Sequence, residues 1–160
     1  MHIMHYKMSG ALMLKYRFVS HTADVRFFSY GRNFGELLKN SMLAMFATQA
    51  DIAKIAHDVK GGAVKANEVR VMDSAETERD LLWYMLQDAL SELDAKAAYG
   101  YEVKNLSAKR SDGKMHAEAS ILCIDQKVEY SNIYVKGVSG YTLGVKKLKN
   151  AYRASVVIDI

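Results

Sequence analysis

The sequence has no proline among its 160 residues. Its turns therefore fall to Gly, Asn, Asp and Ser. A single cysteine, Cys123, excludes an intrachain disulfide and a CxxC site. It stands in "AEASILCID" and reads as a packed strand residue, not as a nucleophile. No run approaches 18 apolar residues, so no membrane-spanning helix is expected. A Gly-rich phosphate loop is missing, whether before a Lys-Ser/Thr pair or after a strand. HExxH is missing too, and the five histidines (His2, His5, His21, His57, His116) are scattered, which argues against zinc. No serine sits in a nucleophile elbow. Nothing here commits the chain to bond-breaking chemistry.

What is present suits a globular protein. Half of the residues are hydrophobic, which argues against disorder. A chain of this length is one domain by default and buries about 70% of its extended surface. The N-terminal "SGALML" is too short for a signal peptide and has no clear cleavage site. Met4, Met8 and Met13 are alternative starts. Residues 1–13 read as an extension or a mis-called start, and residues 14–160 as a single domain. The net charge of +4 is a mild excess that favours an acidic partner without naming one.

"KYRFVS" (15–20) and "VRFFSYG" (25–31) read as strands, being rich in aromatic and β-branched residues. "HTAD" is the loop between them. Asn33 with Glu36 three residues on is a capping-box pattern, so a helix is expected to about Thr48. Its inner side is Leu37, Leu38, Met42, Met45 and Phe46. "AVKANEVRV" reads as a strand and "DSAE" (73–76) as a second cap. Leu81, Leu82, Met85, Leu86, Ala89, Leu90 and Leu93 then form one apolar stripe, with Asp80, Gln87, Asp88, Ser91 and Asp94 opposite. Next comes a hairpin, with Asp112-Gly113 as its turn. "KVEYSNIYVKGVS" and "NAYRASVVIDI" read as the last strands. The expected fold class is α+β, with mainly antiparallel sheet packed on two amphipathic helices.

The end of the chain raises a chemical question. In a strand, Val156, Ile158 and Ile160 point one way, and Val157 and Asp159 the other. The Ile160 main-chain carboxylate is then held near the Asp159 side chain, and two negative charges this close repel unless compensated. A lysine, an arginine or a hard cation compensates them. Calcium takes six to eight oxygen ligands and accepts carboxylates. Asp24 supplies a third carboxylate if the first and last strands are neighbours. On these residues alone a turn cap at Asp24 and a solvated Asp159 compete with the metal reading.

From Tyr16 to Ile160 the chain resembles the archease family. The resemblance rests on "HTAD" (21–24), Tyr30-Gly31, "LAMF" (43–46), "DLL" (80–82), "VKGVS" (135–139) and the terminal "VVIDI". It implies a small cytoplasmic, non-enzymatic protein that activates the GTP-dependent tRNA-splicing RNA ligase. Such proteins speed guanylylation of the ligase and allow repeated turnover, meeting tRNA only through the ligase. Neither a membrane nor DNA is an expected partner. The resemblance also implies a divalent cation, calcium in the known cases and Mg²⁺ or Mn²⁺ as substitutes. Its ligands would be Asp24, Asp159 and the Ile160 carboxylate. His21 and Lys136 would be partner contacts. The family strand that reads like "KAVTYH" is here Lys136 to Tyr141, so Tyr141 replaces its histidine. The alternative function is a basic RNA-binding or RNA-chaperone module acting directly on tRNA, supported by the charge and by "VKKLKN" (145–150).

Overall fold

The fold is built around one helix that is buried on nearly every side. The computed structural model describes residues 3–8, 11–19 and 24–160, with side chains from Leu14 onward. Helix α1 (Phe34–Gln49) starts at Asn33, whose side chain accepts from the Glu36 N–H at 2.9 Å. The Glu36 carboxylate returns to Arg32, at its backbone N–H (2.8 Å) and its guanidinium (2.9 Å), not to Asn33 as a strict capping box requires. Leu37, Leu38, Met42, Met45 and Phe46 are fully buried. So are polar residues such as Ser41, because α1 lies between two sheets.

The larger sheet runs in the order β1 (Ile3–Met8), β2 (Ala11–Val19), β3 (Val25–Gly31), β9 (Ala151–Asp159). Along its far side β9 pairs with both β7 (Gly137–Val138) and β8 (Gly144–Leu148). The stretch read as an extension holds β1 and the first residues of β2. The smaller sheet has the order β4 (Asn67–Ala75), β6 (Lys114–Asp125), β5 (Ala98–Ser111). Every pairing is antiparallel. Helix α3 (Glu78–Ala95) packs its Leu81–Leu93 stripe inward, with each stripe residue at most 4% exposed. The β5–β6 hairpin turns at Asp112 (φ 53°) and Gly113 (φ 77°), the left-handed pair that a two-residue hairpin turn needs. The α+β class and the antiparallel pairing are as expected, but the described residues hold three α-helices where two were expected.

The third helix is α2 (Ile52–Lys60), capped by Asp51 and burying only Ile52 and Ile55. Two further expectations are corrected. The "DSAE" segment is not a cap, because β4 runs through Ala75 and α3 is capped by Thr77, which accepts from the Asp80 N–H. "KVEYSNIYVKGVS" is not a long strand. It holds a 3-10 turn (Val128–Tyr130), then irregular chain, and only Gly137–Val138 joins a sheet. Its backbone donors go elsewhere: Asn132 and Ile133 donate to the carbonyls of Gln49 and Thr48 at the end of α1, where helical carbonyls lack intrahelical partners. Among the described residues no helix is long and apolar enough to cross a membrane.

Candidate functional site at the end of the larger sheet

Strand β9 carries Ile158 into the core, fully buried, and ends with Asp159 and Ile160 exposed. Ile160, expected to face the core, is 37% exposed because the sheet has ended. Val25 of β3 lies opposite Ile158, so the preceding Asp24 stands beside Asp159. Alternation places Phe27 and Ser29 against α1, hence Asp24 and Asp159 at the end of the opposite sheet face. On the other side of β9, Gly137 lies opposite Asp159, and the Lys136 N–H donates to the Asp159 carbonyl at 2.8 Å. Asp24 is half-buried and Lys136 exposed. The structure thus brings together Asp24, Lys136, Asp159 and Ile160. His21 lies outside the described residues.

Helix α3 holds this end of the sheet in place. Strand β7 uses one edge to pair with β9, and its other edge faces α3. Trp83 Nε1 donates to the Val138 carbonyl (3.0 Å), and Gln87 Oε1 accepts from the Val138 N–H (3.0 Å). Two side chains one turn apart therefore satisfy both backbone groups of a strand edge that would otherwise be unpaired. Arg79 donates from Nε to the Leu143 carbonyl (3.1 Å) and from Nη2 to the Gly140 carbonyl, which ties down the turn between β7 and β8. A Cβ on Gly140 would lie 2.7 Å from the Trp83 ring, so only glycine allows this approach. A Cβ on Gly137 would lie 3.8 Å from Asp159 Oδ2 and 3.9 Å from Gln87 Oε1, so these two oxygens flank one spot. Tyr141, at the tip of the tied turn, is 97% exposed.

Sequence reasoning missed Arg79, Trp83 and Gln87, and set Gln87 on the wet side of the helix. The available signal was the lone tryptophan at the border of the apolar stripe, with a glutamine four residues on. A second acidic feature lies between α3 and β4. Asp73 shares the helix-facing side of β4 with buried Val71 and Ala75. Its Oδ2 is shielded and has no donor among the described residues. Burial, then the neighbouring Asp88 carboxyl, push the Asp73 carboxyl up to about 7. Cys123 is 1% exposed and burial raises its thiol, which suits a packing residue.

The oxygen-only donor set at the sheet end fits a hard cation rather than zinc. Among the described residues no three His, Cys, Asp or Glu side chains stand close enough to hold a metal.

Residues 16–160 match the profile of the Archease protein family. The chain belongs to the archease family. An archease of Methanosarcina barkeri is 29% identical over 147 residues, spanning 91% of this chain and 96% of the relative. One from Archaeoglobus fulgidus is 28% identical over 147 residues, spanning 92% and 100%. The solution structure of Methanobacterium thermoautotrophicum protein 1598 superposes with a TM-score of 0.74 at 23% identity, covering 91% of this chain and 99% of that one. A crystal structure of a Thermotoga maritima archease, described as a possible chaperone, gives 0.57 at 16% identity, covering 98% and 100%. These two structures agree with the archease fold seen here, two antiparallel sheets around a central helix.

Proposed function

We propose that this archease is a non-catalytic, metal-binding protein cofactor of the cytoplasm that activates a GTP-dependent tRNA-splicing ligase, stimulating its guanylylation and its multiple turnover. Family membership supports the reading. The observation that carries it is the β3–β9 register, which sets Asp24 beside Asp159 and the chain end. Asp24, Asp159 and the Ile160 carboxylate would hold the cation, most readily Ca²⁺, with Mg²⁺ or Mn²⁺ as substitutes. Three carboxylates and one divalent ion would leave about one negative charge, which solvent or a cation brought by the partner would offset. Bound there, a cation supplies positive charge to phosphate oxygens brought up by the partner.

The chain's own contribution is positioning. Trp83 and Gln87 fix Val138, and Val138 fixes Lys136 and Asp159 through β7. Lys136 and Tyr141 then stand outward on a held backbone, where a ligase surface can meet them. His21, three positions before Asp24 in the sequence, would be a further contact.

The test is multiple-turnover RNA ligation by a cognate GTP-dependent ligase with this protein substoichiometric. Many more turnovers are expected with the protein present, and none of that stimulation with folded Asp24→Ala. Full stimulation by folded Asp24→Ala refutes the metal site. No effect of the unaltered protein on an active ligase refutes the activator reading.

A further inference from the structure

The larger sheet has a second face, turned away from α1. The registers of β2, β3, β8 and β9 place Arg17, Arg26, Phe28, Tyr30, Lys146 and Arg153 together on it. Arg17 lies directly opposite Phe28, and Lys146 directly opposite Arg153. The guanidinium carbons of Arg17 and Arg153 each sit 5.4 Å from the Phe28 ring centroid. Phe28, Tyr30 and Arg153 are half-buried, and Arg17 and Lys146 exposed.

Two features of this face are unusual for a plain solvated surface. Like charges directly opposite in a sheet destabilise it, yet Lys146 faces Arg153, and Arg17 joins them across one ring. None of the four cations pairs with a carboxylate among the described residues. Between Arg26 and Lys146 the face carries no acid among the described residues; its carboxylates, Asp24 and Asp159, stand at one end. Crowded cations around aromatic rings on an antiparallel sheet suit a chain of phosphates and bases. Phosphates offset the repulsion, and bases stack on ring and guanidinium planes. An acidic protein segment would meet the charges but leave the rings without a stacking partner.

We propose that this face is a platform for single-stranded RNA, with phosphates against Arg17, Lys146 and Arg153 and bases against Phe28 and Tyr30, leading toward the carboxylate end of the sheet. The choice of RNA among polynucleotides rests on the function proposed above, in which the partner enzyme joins RNA ends.

The test uses the full chain alone, without ligase, and a fluorescein-labelled single-stranded RNA of about 12 nucleotides, within the usual span of one such site. Anisotropy is read against salt. Three phosphate contacts predict a log–log slope of about −2, and Arg17→Gln or Lys146→Gln each removes about 0.7 of it. Phe28→Leu keeps the bulk and removes the ring, so binding weakens about tenfold at every salt with the slope unchanged. Tyr30→Leu replaces it if Phe28→Leu fails to fold. The proposal is overturned by a dissociation constant above about 10⁻⁴ M in low salt. Equal binding of duplex RNA, or binding indifferent to these variants, overturns it too. So does displacement of the RNA by polyglutamate charge for charge, which would make the face a dock for an acidic protein. These outcomes leave ligase stimulation, measured separately with Asp24→Ala, untouched.

Discussion

Asp73→Asn should make the protein more stable above neutral pH and leave it unchanged in acid. Asp73 interrupts the apolar side of β4, faces Asp88 of α3, and has an oxygen shielded without a donor. Burial first, and then the neighbouring Asp88 carboxyl, hold the proton on Asp73 in the folded state up to about pH 7. The unfolded chain releases it near pH 3.9. Between these values the folded state binds more protons, so stability is present below about pH 4 and falls as pH rises toward 7. Three pH units correspond to about 4 kcal/mol as a ceiling, at about 1.36 kcal/mol each. Asp88 is exposed and the pair is solvated on one side, so screening reduces the cost to about 1–2 kcal/mol. Asparagine donates to Asp88 without ionising. Urea unfolding followed by the single tryptophan, Trp83, should show Asp73→Asn about 1–2 kcal/mol more stable at pH 8 and equal within about 0.5 kcal/mol at pH 4.5. A difference that does not vary with pH, or a less stable variant at pH 8, refutes the raised Asp73 carboxyl.

Three other perturbations address the core, the clamp and the chain end. Leu86→Ala, at a fully buried stripe position, should cost about 2–5 kcal/mol by thermal or urea unfolding; a loss under about 1 kcal/mol would mean that α3 is not packed as described. Gly140→Ala pushes a methyl into the Trp83 ring and should shift Trp83 emission, cost about 1–3 kcal/mol and reduce ligase stimulation, whereas unchanged emission would place the ring elsewhere. Residues fused after Ile160 turn its carboxylate into an amide and should weaken Ca²⁺ binding by calorimetry, with equal affinity counting against Ile160 as a ligand.

Elements with a strict period were legible from residues alone. Strand β3 has the bounds read from "VRFFSYG", and the Leu81–Leu93 stripe is the buried side of α3. Helix α2 escaped because it is only nine residues long and buries only Ile52 and Ile55. The stretch after Lys127 misled because Val128, Tyr130, Ile133 and Val135 look like an alternating strand. In fact Val128 is 92% exposed, Tyr130 is buried with its hydroxyl donating to Asp58 (2.7 Å), and the backbone serves the end of α1. The neighbourhood of Asp24 and Asp159 followed from one condition, that the early and final strands pair, and they do. The clamp of Arg79, Trp83 and Gln87 was illegible because side chains that bond to a distant backbone leave no periodic trace. Asp73 was misassigned because an acid near a helix start resembles a cap.

The β3–β9 ladder is also the pairing expected to close last. The smaller sheet forms from β4, α3 and a tight hairpin, all close in sequence, whereas β9 must find β3 across most of the chain. Long-range closure of that kind is entropically costly and slow. The carboxylate end and the cationic face both depend on that late ladder. A chain holding only the local half of the fold would have neither surface.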